Sequence, residues 1–126
     1  MSWQAYVDTS LIGTGRITQA TILGHDGNAW AQSTGFHITP QEGAALAAGF
    51  VDNNAIRANG FYMGGQRYFT LRADGRSIYG KQGNNGISAV KTTQAIVVGA
   101  YEAPIQPGES ATEVEKLADY LINLGY

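Results

Sequence analysis

Cysteine is absent from the 126 residues, so no disulfide framework and no thiolate metal site can form. With only two histidines, His25 and His37, an imidazole metal cluster is not expected either. Charged residues make up 14% and proline occurs three times, which is not the composition of a disordered linker or a coiled coil. No long apolar run is present and the start is not basic, so neither a membrane span nor a signal peptide is read, and a soluble cytoplasmic protein is the expectation. Motifs of catalysis and nucleotide binding are missing as well. There is no GxSxG elbow, no P-loop, and no GxGxxG between a strand and a helix, since Gly13-Thr14-Gly15 follows a helical stretch. His25 and Asp26 could form an acid–base pair, but neighbours in a tight turn point different ways. Ser77 has no base identifiable from sequence. An enzyme therefore ranks well below a binding module, with no cofactor and no metal expected.

What the chain does have is 17 glycines and 44% hydrophobic residues, enough for many tight turns and one core. The length suits a single domain spanning residues 1–126. Near the start, Trp3, Tyr6, Val7, Ser10 and Leu11 follow helical spacing behind a Ser2 cap, and Gly13 and Gly15 end the element. Near the end, Ser110-Ala-Thr-Glu113 reads as a capping box before Val114, Leu117, Ala118, Leu121 and Ile122, a stripe that stops at Gly125.

Strands are expected between these helices at 17–24 and 29–34, joined by an Asp26-Gly27 turn, and then at 66–73, 76–82, 87–92 and 94–101. Thr39-Pro40-Gln41-Glu42 opens a short helix that runs to Phe50, and a second lies near Asp52–Ala58. The pattern predicts an α+β fold with a central antiparallel β-sheet of about six or seven strands and helices packed on it.

Two features bear on function. Aromatic residues stand at unusual places: Trp3 and Tyr6 one turn apart, Trp30 opening a strand, Tyr120 beside the last helix's apolar stripe, and Tyr126 as the final residue. If the terminal helices lie side by side, these five can line a groove for proline-rich ligands. Ring faces would pack on pyrrolidine rings, and Trp N–H and Tyr O–H groups would answer the proline carbonyls. Spacing alone equally lets Trp3 and Tyr6 serve as glue between helices, and favours that reading. The second feature is charge. Between Arg57 and Lys91 the chain carries six basic residues against one acid, while the remainder carries two against nine, so a net −2 conceals a basic middle. That middle suits an acidic partner face or ordinary solvated strand edges.

Over its whole length the sequence resembles the profilin family. The stretches that carry the resemblance are SWQAYVDTSLIGTG, ILGHDGNAWAQS, NGFYMGGQRYFTLRAD, SIYGKQG and IQPGESATEVEKLADYLINLGY, in order and at family spacing. The length resembles the compact non-vertebrate form. The resemblance implies the terminal helices on one sheet face and shorter helices on the other. It also implies a non-enzymatic, monomeric protein of the cytoplasm and cytoskeleton that binds actin monomers, promotes their nucleotide exchange and regulates polymerisation. Its other implied partners are proline-rich proteins such as formins and acidic phosphoinositides at the membrane surface, with no nucleic acid among them.

Carried over by position, Trp3, Tyr6, Trp30, Tyr120 and Tyr126 are the implied polyproline-binding residues, Tyr120 standing where some relatives have His. The implied actin face comprises Ala58, Arg67, Arg72, Arg76, Lys81, Lys91, Gly108, Thr112 and Lys116, with apolar contact around Ala58, Ile105 and Gly108. One departure matters: Lys81 is followed by Gln82 where many relatives have a second lysine, so weaker phosphoinositide binding is expected. The alternative is an adaptor for proline-rich peptides without significant actin binding.

Overall fold

The structure, a computed structural model, describes residues 2–126. Seven strands form one antiparallel sheet: β1 (Gln19–Gly24), β2 (Ala29–Gln32), β3 (Phe61–Met63), β4 (Gln66–Ala73), β5 (Ser77–Gln82), β6 (Asn85–Lys91) and β7 (Ala95–Tyr101). Their order across the sheet is β2-β1-β7-β6-β5-β4-β3. Helix α1 begins at Trp3–Ala5, continues as a π-helical segment over Tyr6–Leu11 and ends in a 3₁₀ turn at Ile12–Thr14. Helices α2 (Pro40–Val51) and α3 (Asn54–Asn59) interrupt the sheet, and α4 (Pro107–Asn123) closes the chain.

The sheet divides two cores. β7 is buried along its whole length, which is why it reads as an unbroken apolar run. Its Ala95 and Val97 meet Val7 and Leu11 of α1 and Val114, Leu117, Ala118 and Leu121 of α4. Ile96, Val98 and Ala100 point the other way, toward Leu46 and Phe50 of α2 and Ile56 of α3. The two terminal helices thus share one face and the shorter pair the other. Gly99 lets α4 approach closely, because a Cβ there would lie 2.7 Å from Val114. Each fully buried Leu or Ile contributes roughly 1.5–3 kcal/mol, so the central strands set the strength of both cores.

The sequence places most elements within a few residues. Ser2 caps α1 as expected, its Oγ accepting the Ala5 N–H at 3.1 Å. Thr39 and Glu42 form the expected capping box at α2. Three expectations need correction. The short strand Phe61–Met63, pairing with β4 through a Gly64-Gly65 turn, was not among the strands expected from the pattern. β2 ends at Gln32 rather than 34. The Ser110–Glu113 capping box does not form: α4 starts one turn earlier, at Pro107, with Gln106 as an extended N-cap. Proline fixes φ and needs no N–H partner at the first helical position, so it outcompetes the later serine as a start signal. Ser110 then lies inside the helix, fully buried, its Oγ without a partner among the described residues.

Candidate functional site

The N-terminal segment is bound to the sheet before any aromatic contact is made. On α1, Gln4 donates from Nε2 to the Gln32 carbonyl of β2 at 2.9 Å and to Asp8 at 3.1 Å. Those bonds set Trp3 over Trp30, with ring centroids 4.9 Å apart. The C-terminus is fixed from the other side. The Tyr126 carbonyl accepts the Gln94 N–H at 2.5 Å and the Thr92 hydroxyl at 2.8 Å, while Tyr126 N–H donates to Leu121. Tyr126 meets Trp3 edge-on at 5.6 Å, Trp3 meets Tyr6 at 5.8 Å, and Tyr6 meets Tyr120 at 6.2 Å. All five sequence-selected aromatics therefore belong to one contiguous cluster, in the tilted and edge-to-face arrangements that ring quadrupoles favour.

Glue and surface turn out to be different residues. Tyr6 is 7% exposed and belongs to the core beneath the helices. Trp30, Tyr120 and Tyr126 are 41%, 51% and 43% exposed, and Trp3 is half-buried between the two groups. Trp3, Tyr6, Tyr120, Leu124 and Tyr126 line an open cleft of about 400 Å³. Burial pushes the Tyr6 phenol above its ordinary pKa, and Tyr120 beside it adds to the effect, so the group remains a neutral donor at physiological pH. Gly24 gives Trp30 its place: a Cβ there would stand 2.9 Å from the indole Nε1 and 3.1 Å from Cε2. The cleft offers flat apolar faces with N–H and O–H donors, and no Asp, Glu, Lys, Arg or His side chain lines it. A ligand rich in planar apolar rings and carbonyl oxygens suits it.

A second exposed surface lies where α4 stops covering the sheet. β4 alternates, with Tyr68 buried and stacked on Phe61 of β3 and with Arg67, Phe69 and Leu71 on the open side. Phe69 and Leu71 are 66% and 64% exposed. The Arg67 guanidinium sits over the Phe69 ring at 5.6 Å, and that of Arg72 over Tyr79 at 5.5 Å. A register shift between Thr70 and Arg72 breaks the pairing with β5 and turns the end of the strand. Beside this patch, Leu71, Tyr79, Gly80, Pro107, Gly108 and Ala111 contribute to a smaller cleft of about 160 Å³.

The nine other sequence-selected residues separate. Arg67, Arg72 and Lys81 lie on β4 and β5, with Gly108 and Thr112 at the start of α4. Ala58 stands exposed on α3, which packs along β4. Arg76 is occupied within the molecule, at 2.9 Å from Glu115 and 2.8 Å from Asp119 on α4. Lys91 donates its backbone N–H to the Arg76 carbonyl, at the end of β6 remote from Lys81. The five residues from Arg76 to Lys81 along β5 put these two lysines about 17 Å apart. Lys116 faces α1 in a cleft with Ser10, Glu113 and Tyr120, whereas Glu115 and Asp119 occupy the side of α4 toward β5. Arg72 is also paired, 3.1 Å from Asp74, and that contact raises its pKa further above the ordinary value.

Sequence reasoning missed Phe69 and Leu71. Their alternation in QRYFTLRA was legible, but not that the face they share would lack a covering helix. It also left open the roles of the histidines. The His25 ring nitrogen Nε2 lies 3.0 Å from the Thr92 carbonyl, so this exposed side chain braces the turn that holds Tyr126. His37 is exposed.

Comparison with known proteins adds an independent line. The family model described as Profilin matches residues 1–126. Profilin-2 of Acanthamoeba castellanii is 60% identical over 126 residues, covering all of both chains. The crystal structure of Acanthamoeba castellanii profilin II superposes with a TM-score of 0.98 at 60% identity, covering 99% of this chain and 100% of that one. A more distant fold match is mouse profilin IIa, solved in complex with a double repeat from the FH1 domain of mDia1, at TM-score 0.80 and 22% identity with full coverage of both chains.

Proposed function

The chain belongs to the profilin family, and from that premise we propose that it is a two-faced adaptor. One face holds a proline-rich segment and the other an actin monomer, so that actin is delivered to the machinery that builds filaments. As a family member it is not an enzyme. The observation that carries the proposal is the convergence of Trp3, Tyr6, Trp30, Tyr120 and Tyr126 into one cluster with three exposed rings.

A proline-rich ligand keeps its carbonyls but lacks N–H groups, and its polyproline II helix is largely preformed. Indole N–H and phenol O–H groups can answer those carbonyls while the ring faces cover the pyrrolidines. Because both chain ends are already fixed by Gln4, Thr92 and Gln94, little ordering cost is added on binding. The mouse relative bound to a formin-domain repeat supports the same ligand class here.

For actin, the reading rests on the uncovered surface of β4, β5 and the start of α4. Phe69, Leu71 and the small cleft beside Gly108 supply apolar contact, while Arg67, Arg72, Lys81 and Thr112 supply polar contact. Each exposed ion pair is worth roughly 0–1 kcal/mol, so these charges steer association and fix register more than they add affinity. Arg76, neutralised by two carboxylates, is assigned to holding α4 on the sheet. Actin nucleotide exchange would follow from mechanical opening of actin's cleft, with no covalent step. Phosphoinositide binding is expected to be weak. Lys81 has no second lysine beside it, and Gln82 is engaged with Gln66 and the Arg67 carbonyl. Membership of the family supports a site of action in the cytoplasm among actin filaments.

The test is retention on immobilised poly-L-proline alongside an actin-monomer pull-down. Trp3→Ala should lose retention on polyproline and keep actin, and Leu71→Glu should do the reverse. Actin capture by neither wild type nor variant, with retention intact, would leave an adaptor for proline-rich peptides alone.

A further inference from the structure

The two surfaces assigned above leave one large cleft without a role. It measures about 440 Å³ and opens at the end of the sheet where β1 begins and β7 ends, beside the β5–β6 turn and the Gly64-Gly65 turn. Tyr68 and Ala100, which belong to the core under α2 and α3, line it, so by alternation along β4 it faces away from Arg67, Phe69 and Leu71. None of its lining residues belongs to the aromatic cleft. We propose that it binds a basic amino-acid unit, free or within a peptide. Glu102 would hold the ammonium or guanidinium group, while Tyr68 and the amides of Gln66 and Asn85 would hold the carbonyl oxygen.

The lining is built for hydrogen bonds rather than for apolar contact. Glu102 is the one carboxylate in it, and no Lys, Arg or His is present. Glu102 is exposed, and among the described residues it has no cation within ion-pair distance. Tyr68 is only 4% exposed, yet its hydroxyl makes no hydrogen bond among the described residues and reaches the cleft. So deeply buried a phenol is normally hydrogen-bonded, which makes this donor available to a ligand. Burial, with Glu102 and Tyr101 nearby, raises its pKa above the ordinary phenol value, so it donates as a neutral group.

The fold orients the amides around it. Gln82 Nε2 donates to Gln66 Oε1 at 2.9 Å and to the Arg67 carbonyl at 3.1 Å. Gln82 is left with Oε1 as an acceptor, and Gln66 with Nε2 as a donor. Asn85 Oδ1 accepts the Ala103 N–H at 3.1 Å, which leaves its Nδ2 as a donor. Glu102 is anchored through its own N–H, which donates to Thr18 Oγ1 at 3.2 Å. The cleft thus offers a carboxylate and an amide oxygen to a cation, and three neutral donors to an oxygen on the same ligand. A sugar suits it less well, because the Tyr68 ring is stacked on Phe61 at 5.7 Å and presents no open face.

The experiment follows the proton–nitrogen correlation spectrum of the whole protein. The probes are L-arginine, N-acetyl-arginine N-methylamide as a peptide unit, and L-citrulline, which keeps arginine's shape without its charge. Either arginine probe should shift the amides of Gln66, Tyr68, Gln82, Asn85 and Glu102 saturably and leave both indole N–H resonances in place. Citrulline should bind about fivefold more weakly than L-arginine, and Glu102→Gln should erase that difference. Tyr68→Phe removes a hydroxyl with no partner in the protein, so it should keep the wild-type Tm while weakening arginine about two- to fivefold. Tighter binding of free arginine supports a small-molecule site, and tighter binding of the capped form supports a site for a basic residue of a partner chain. No saturable shift with either arginine probe, citrulline equal to arginine in wild type, or arginine affinity unchanged in Glu102→Gln would overturn the proposal.

Discussion

Replacing Glu115 with alanine removes one carboxylate on which three donors from the sheet converge. Ser77 Oγ donates to it at 3.1 Å, the Tyr79 hydroxyl makes a short bond to the same oxygen, and Arg76 reaches the other oxygen at 2.9 Å. These contacts fix the outer side of α4 to β5, where apolar contact gives way to the open surface. Without Glu115 the Arg76 guanidinium keeps Asp119, so its loss is that of an exposed pair, roughly 0–1 kcal/mol. Ser77 is 1% exposed and its hydroxyl would lose its partner, as would the partly buried Tyr79 hydroxyl. An abandoned donor costs about 1–3 kcal/mol when fully buried and less where water can enter, so the sum is about 2–4 kcal/mol.

With an unfolding entropy near 2.1 cal/mol/K per residue, that corresponds to a Tm lower by about 8–15 °C. Urea unfolding followed by far-UV circular dichroism, together with calorimetry, measures it. The pH dependence supplies a second check. Burial alone would raise the Glu115 pKa, but the bonds from Tyr79, Arg76 and Ser77 outweigh it and hold the group below the usual carboxylate range. A depressed value in the folded state means stabilisation that is present above the ordinary carboxylate pKa and lost as pH falls through the folded one. The gap between wild type and Glu115→Gln should therefore narrow below about pH 4. A Glu115→Ala protein within about 0.5 kcal/mol of wild type, or a gap with Glu115→Gln unchanged from neutral to acid pH, would refute the reasoning.

Other predictions concern the same surfaces. The Tyr79 phenol is pushed up to about 12 by burial and by its bond to Glu115. Its contribution is complete below the ordinary phenol value of about 10 and fades as pH rises toward about 12, so wild type should lose roughly 1–2 kcal/mol more than Tyr79→Phe across that window in urea titrations. Gly24→Ala should displace the Trp30 ring and weaken proline-peptide binding several-fold, read by calorimetric titration, while the protein stays folded. Leu71→Glu should lower affinity for monomeric actin by about tenfold or more in a sedimentation or anisotropy assay, with little change in Tm because the side chain is exposed.

Much of this architecture is legible in the sequence because each element carries a redundant signal. β7 is an apolar run at the centre of the sheet, α4 has a full 3.6-period stripe, and the first hairpin has Asp-Gly between apolar stretches. Legibility fails where one local signal competes with another. Ser110 and Glu113 spell a capping box, but Pro107 starts the helix first and the serine is buried. Phe61–Met63 is too short to show a period, and it becomes a strand only because β4 lies beside it. The aromatic cluster is intermediate. Spacing assigned Trp3 and Tyr6 to packing, which is right for Tyr6, whereas the exposed partners Trp30, Tyr120 and Tyr126 come from two distant segments that only the fold joins. Charge was the weakest guide. The basic middle of the chain is real, yet Arg72 and Arg76 are paired internally and Lys91 lies at the other end of β5 and β6 from Lys81.

The groove assignment has a direct spectroscopic test, because the chain contains only two tryptophans and both belong to it. In a proton–nitrogen correlation spectrum, titration with a ten-proline peptide should shift both indole N–H resonances saturably with a single dissociation constant. The backbone resonances of Arg67–Arg72 on β4 should stay in place. Binding that leaves the indole resonances unmoved, or that concentrates its shifts on β4, would contradict the assignment.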